Sequence, residues 1–145
     1  MDIRPLQTDR EIDAAFPLMA ELRDRVRRAT FVSEVRRQQA QDYELIGAFD
    51  GQTLVALAGV RRTHTLARGD HVFVDDLVTS PHARGAGHGR ALMRWVIDRA
   101  ARDGVPRVYL DARITAKGFY EKLGFTFLTS VPCWIDVPAA RGDRR

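Results

Sequence analysis

Between residues 74 and 100 the chain has to pass from an extended segment, through a glycine turn, into a helix. Val74-Asp75-Asp76-Leu77-Val78-Thr79 reads as a strand and Ser80-Pro81-His82-Ala83 as a short loop. Arg84-Gly85-Ala86-Gly87-His88-Gly89-Arg90 then brings three glycines within five residues, and residues 91–100 are good helix formers. Glycine lacks a Cβ, so its backbone approaches a ligand closely and takes positive φ at little cost. A helix that starts there turns free N–H groups and the positive end of its dipole toward whatever sits over the turn. With Arg84 and Arg90 on either side, the natural guest is a phosphate-bearing anion.

Three phosphate cradles can be compared. A nucleoside-triphosphate loop ends in Gly-Lys-Ser/Thr, because the lysine reaches the terminal phosphates and the hydroxyl holds magnesium. Here the only lysines, Lys117 and Lys122, lie far downstream. A dinucleotide fingerprint needs G-x-G-x-x-G directly after a strand; counted from Gly85, its third glycine falls on Arg90. The third pattern, Arg-x-x-Gly-x-Gly, is met in full by Arg84, Gly87 and Gly89. That spacing resembles the pyrophosphate loop of the GNAT superfamily, the acetyl-coenzyme A dependent N-acetyltransferases. A second segment stands at the right distance. Ala116-Lys117-Gly118-Phe119-Tyr120-Glu121-Lys122-Leu123-Gly124-Phe125 is similar to the superfamily's A-x-x-F-Y-E-K-L-G-F, a helix closed by a glycine cap.

The resemblance implies a GNAT fold of the α/β (α+β) class. Its central mixed, mostly antiparallel sheet has about seven strands flanked by about four helices, splayed between the fourth and fifth strands. It also implies a reaction, transfer of the acetyl group of acetyl-coenzyme A directly to a primary amine of a small molecule or peptide. Residues 77–79 (Leu77, Val78, Thr79) would pair with the coenzyme's pantetheine arm, and a backbone N–H nearby would polarise the thioester carbonyl. The diphosphate would lie over Arg84, Gly85, Ala86, Gly87, His88, Gly89 and Arg90. Tyr120 occupies the position where many members place a tyrosine beside the coenzyme's sulfur, as general acid to the departing thiolate. Asp75 and Asp76, in the strand bordering the slot, are the candidate bases for the acceptor amine, Asp75 resembling a position where some polyamine-acetylating relatives carry a carboxylate. Adjacent strand residues face opposite sides, so one of the two should face the acceptor unless a bulge intervenes. The pattern departs from the family at Arg113, where many members carry an asparagine.

Composition fits such an enzyme. With 145 residues, 45% of them hydrophobic, the chain makes one domain with a single core, expected over residues 1–138 and followed by a basic tail over 139–145. No run is long enough to span a bilayer and the N-terminus is not signal-like, so a cytoplasmic, bacterial-type protein is expected, without membrane partners. Cys133 is the lone cysteine, which excludes an internal disulfide framework, and the four histidines lack zinc-ligand spacing, so no metal is expected. The net charge of +4 is partly explained by the tail's three arginines against one aspartate, so nucleic acid is not an expected partner. A homodimer is allowed.

Along the chain, residues 2–6 read as a strand and Thr8-Asp9-Arg10-Glu11 as a capping box, with Pro17 disturbing the helix behind it. A second helix is expected over 30–43, strands over 44–50 and 53–62 joined at Asp50-Gly51, a strand over 71–79 and another over 105–112. Residues 126–128 and 133–137 would be the last two strands, with Cys133 a core thiol. His64 and His71 read as surface strand residues. Two other functions stay open at this level: acetylation of an aminoacyl-tRNA in the manner of acetylating toxins, and a non-catalytic acyl-coenzyme A binding module.

Overall fold

A computed structural model describes residues 1–139, so all but the first residue of the expected basic tail lies outside the described residues. The chain divides into two compact units, Met1–Leu110 and Asp111–Arg145. The first holds a mixed five-stranded sheet in the order β1-β2-β3-β4-β5, formed by Asp2–Pro5, Tyr43–Asp50, Thr53–Thr65, Gly69–Thr79 and Val108–Leu110. The first four strands run antiparallel in succession and β5 joins β4 in parallel. The fold class is the one expected, mixed α/β.

Helices α1 (Asp9–Ala14), α2 (Phe16–Leu22) and α3 (Arg28–Gln39) cover one face of this sheet, and α4 (His88–Arg102) the other. On the first face Ile12, Ala15, Leu18, Met19, Phe31 and Val35 meet Tyr43, Leu45, Leu57 and Val78 in one buried cluster. On the second, α4 buries Leu92, Met93, Val96 and Ala100, the one-sided spacing expected of a helix lying on a sheet. Full burial of one such aliphatic side chain is worth about 1.5–3 kcal/mol.

Local chemistry explains the element boundaries. Thr8 caps α1 through a complete box, its hydroxyl accepting from the Glu11 N–H while the Glu11 carboxylate accepts from the Thr8 N–H. The helix then breaks at Ala15, and Pro17 falls in the first turn of α2, where its missing N–H costs nothing. The second expected helix ends at Gln39 and not at residue 43, because Asp42 takes φ 65° and turns the chain into β2. Tyr43 is thereby the first residue of a strand, and it is buried.

The second unit contains α5 (Lys117–Lys122), preceded by a short 3-10 turn at Ile114–Ala116 and ended at Gly124 with φ 95°. Strands expected over 126–128 and 133–137 are not formed. Among the described residues the sheet therefore has five strands where about seven were expected. Residue pattern marks a segment that favours strand geometry; a strand exists only where an edge supplies its hydrogen bonds. Cys133, expected in a strand core, is exposed.

Candidate active site

The parallel pairing of β4 with β5 runs only through Val72, Phe73 and Val74. Beyond Val74, β4 continues to Thr79 with no β5 partner. Leu77, Val78 and Thr79 lie in this unpaired stretch, where one edge of the strand offers main-chain groups that β5 does not use. Val78 is buried in the core cluster, while Leu77 and Thr79 are half-buried. The expected splay between the fourth and fifth strands is thus present.

From Thr79 the chain passes through a 3-10 turn, Pro81–Ala83, to the glycine segment. Gly85 and Gly87 take φ 84° and 82°. A Cβ at either would meet nothing within 4 Å, so these positions need glycine for its conformation and leave open space above the turn. Gly87 caps α4, and its carbonyl accepts the Ala91 N–H at 3.0 Å. The N–H groups of His88, Gly89 and Arg90 therefore precede the first intrahelical donor, the Ala91 N–H, and point outward along the axis. Arg84, Gly85, Ala86 and Arg90 are exposed, Gly89 is buried and His88 half-buried. Among the described residues neither Arg84 nor Arg90 forms an ion pair. Nδ1 of His88 is buried without a hydrogen-bond partner. The arrangement is a positively polarised, open helix end flanked by two unengaged guanidiniums.

The acidic pair depends on a bulge. Gly59 aligns with Asp76 and Val60 with Val74, which leaves Asp75 as the extra residue of β4. A bulge of this kind re-aims side chains that would otherwise alternate. Both carboxylates come to the face that carries Tyr43 and Arg61. Asp75 accepts from Nε and Nη2 of Arg61 at 2.6 and 2.9 Å, a two-pronged ion pair. Asp76 accepts from Nε of Arg23 and from the Tyr43 hydroxyl, both at 2.8 Å. Arg23 also donates from Nη2 to the Asp75 carbonyl at 2.6 Å. Each carboxylate thus has a guanidinium of its own, which offsets the pull that a bare acidic pair would exert on a cation. Burial first, and then the charge of Asp76, push the Tyr43 phenol far above its ordinary range. It remains a donor to Asp76 at any ordinary pH.

Arg23, Tyr43 and Arg61 were not anticipated from sequence. Arg61 could have been found by counting the β3–β4 hairpin outward from its turn, had the one-residue slip at Asp75 been known. Arg23 lies 53 residues before Asp76, and nothing local joins them.

Tyr120 belongs to the second unit. It is buried, with Phe119 and Phe125 set edge-on at ring-centre distances of 5.0 and 5.5 Å. Burial raises its pKa. Two histidines behave differently from one another. His64 is exposed and pairs with Asp70. His71, expected at the surface, is 2% exposed. Its Nδ1 lies 2.8 Å from the Gly69 carbonyl, and its ring meets Tyr109 edge-on at 5.1 Å. That turn-closing bond and the aromatic contact compensate the burial of a polar ring.

Residues 10–125 match the model of the acetyltransferase (GNAT) family. An uncharacterized N-acetyltransferase of Bacillus subtilis, YhdJ, is 28% identical over 129 residues, covering 86% of this chain and 91% of its own. Among solved structures, a transcriptional regulator from Bacillus halodurans superposes with a TM-score of 0.77 at 27% identity, covering 94% of this chain and 99% of the other. A Trypanosoma brucei acetyltransferase shares the fold with a TM-score of 0.78 at 21% identity, covering 94% and 99%. The splayed sheet, the glycine turn that caps α4 and a family match over most of the chain agree, and the protein belongs to the GNAT acetyltransferase family.

Proposed function

We propose that this chain transfers the acetyl group of acetyl-coenzyme A directly to a primary amine on a small molecule or peptide. One observation carries the reading: the β4 edge that loses its partner at Val74 runs straight into the glycine turn and the free N-terminus of α4. That continuity offers, in one stretch of chain, main-chain partners for an amide-containing arm and an anion site for the diphosphate at its end.

In this reading residues 77–79 pair with the pantetheine arm, and a backbone N–H there polarises the thioester carbonyl. The amides of residues 85–90 hold the diphosphate, with Arg84 and Arg90 opposing its charge. The acceptor nitrogen attacks the carbonyl carbon; a C–N bond forms, the C–S bond breaks, and the proton the nitrogen sheds on becoming an amide passes through water to the departing thiolate. Tyr120 donates to that thiolate. Because burial raises its pKa, hydrogen bonding outweighs complete proton transfer. A lysine-like amine of pKa about 10.4 must lose a proton first, at a cost of roughly 4.6 kcal/mol at pH 7. Asp75 or Asp76 accepts that proton. Each carboxylate oxygen keeps a lone pair outside its bonds to arginine or tyrosine, which suits transfer through a water.

Titration calorimetry with acetyl-coenzyme A, followed by thiol release over a panel of amines, tests the assignment. Wild-type protein should bind the coenzyme and release thiol with at least one amine. Arg84→Ala should weaken binding about tenfold, as expected for one charge-assisted contact of about 1.4 kcal/mol. Unchanged affinity removes Arg84 from the diphosphate site. Binding without thiol release across the panel replaces the enzyme with an acyl-coenzyme A binding module.

A further inference from the structure

Two arginines cover the acidic pair of β4. The side chains of Arg23 and Arg61 are 44% and 36% exposed, against 11% and 23% for Asp76 and Asp75. A molecule arriving from solvent therefore meets guanidinium before carboxylate. Each arginine spends Nε and Nη2 on the pair, which leaves Nη1 of each without a hydrogen-bond partner among the described residues. Both guanidiniums meet the same residue, Arg23 at the carbonyl of Asp75 and Arg61 at its carboxylate. Two positive groups thus converge on one position of the strand.

That arrangement disfavours a plain amine. An ammonium approaching Asp75 or Asp76 competes with a guanidinium already bonded there, and the displaced guanidinium stays nearby as a like charge. An acceptor that carries an oxyanion beside its amine escapes this penalty. Its oxyanion takes up guanidinium donors, in the forked geometry that arginine offers, and its ammonium takes up a carboxylate. Every charge then keeps an opposite partner. The link between α2 and α3 adds to the field. Residues 23–28, Arg-Asp-Arg-Val-Arg-Arg, hold four arginines against one aspartate. Arg28 pairs with Asp13, while Arg25 and Arg27 are exposed and form no ion pair among the described residues. A positive stretch tied to the acidic pair through Arg23 raises the local concentration of anions.

We propose that the acceptor is a small amine that also carries an oxyanion, a carboxylate or a phosphate, which Arg23 and Arg61 bind while Asp75 and Asp76 face the amine. This rests on the acetyl-transfer reading and narrows it from primary amines at large to zwitterionic ones. Amine and oxyanion stand a few bonds apart, since the guanidiniums and carboxylates that receive them are themselves in contact. Arg23 and Arg61 are then specificity residues. As the oxyanion draws on their donors, their hold on the carboxylates weakens, and the carboxylate that takes the ammonium's proton becomes a stronger base. A monoamine or polyamine brings nothing that loosens that hold.

Thiol release from acetyl-coenzyme A tests this with acceptors matched in length: propylamine, β-alanine, phosphoethanolamine and their longer homologues. For the wild-type chain, kcat/KM of at least one oxyanion-bearing acceptor should exceed that of the matching alkylamine by about tenfold or more, the worth of one charge-assisted contact. The carboxylate and phosphate arms tell which oxyanion the site prefers. Arg23→Gln and Arg61→Gln should each lower kcat/KM for the favoured acceptor and raise it for the alkylamine, because each uncovers a carboxylate. Structural damage would lower both. Binding is read separately, from the Nε–H nuclear magnetic resonance signals of Arg23 and Arg61 in the wild-type chain. The favoured acceptor should shift them saturably and propylamine should not. Alkylamines turned over as well as their oxyanion-bearing counterparts overturn the proposal, as do equal shifts with both. Saturable shifts without thiol release from any amine keep the oxyanion site and remove acetyl transfer instead. Neither shift nor release overturns both.

Discussion

Gly59 has no side chain because Tyr43 and Asp76 fill the space where one would stand. A Cβ there would lie 2.6 Å from Oδ2 of Asp76 and press on the Tyr43 phenol. Gly59→Ala should therefore lower stability by about 1–3 kcal/mol through overpacking, read as a shift in the urea midpoint. A midpoint within error of wild type would show that the cluster yields easily. Tyr120 makes a different prediction. A phenol whose pKa burial has raised is a poor source of a whole proton but a good hydrogen-bond donor to a thiolate. Tyr120→Phe should lower kcat roughly tenfold to a hundredfold, the worth of one hydrogen bond to a developing charge, and leave the dissociation constant of acetyl-coenzyme A unchanged. Turnover equal to wild type would remove the hydroxyl from catalysis. At this scale the sequence was a fair guide to the turn at Gly85 and Gly87, whose positive φ follows from residue type alone. It was silent on Tyr43, Arg61 and Arg23, whose roles arise from distant strands and helices meeting.

α1 shows how an element reports on pH. Glu11 closes the capping box, and its pKa is lowered from 4.5 to about 2, chiefly by its hydrogen bond from Arg4 and then by the N–H groups of Thr8 and Gln7. A carboxyl held lower in the folded chain than in the unfolded one adds stability above the unfolded value. That stability drains away as the pH falls through the folded value. Glu11→Gln keeps the reach of the capping box and removes the charge. The stability difference between wild type and variant should be full above pH 4.5 and shrink toward zero near pH 2; a difference constant across that range would mean the charge plays no part. The hairpin of β2 and β3 was legible because Asp50-Gly51 is a turn signal in itself. The bulge at Asp75 was not, because an extra residue is defined only against the partner strand. It is the bulge that brings both acidic side chains to one face, where simple alternation would have separated them.

For the molecule as a whole, a coenzyme that binds only the folded chain must raise its stability by mass action. At one hundred times its dissociation constant, acetyl-coenzyme A should add about 2.7 kcal/mol. For a chain of this size that corresponds to a rise of roughly 5–11 °C in melting temperature. The shift should be nearly absent in Gly87→Ala, since φ 82° at the cap of α4 is costly for any residue with a Cβ. A full shift in that variant would place the anion elsewhere. The sequence by itself determined the family, the fold class and the glycine turn, because glycines, caps and helix formers act over a few residues. The tertiary structure alone decided the arginine partners of the acidic pair, the burial of His71 and the end of the sheet at β5. Those outcomes depend on which distant segments find one another, and no short-range preference encodes that.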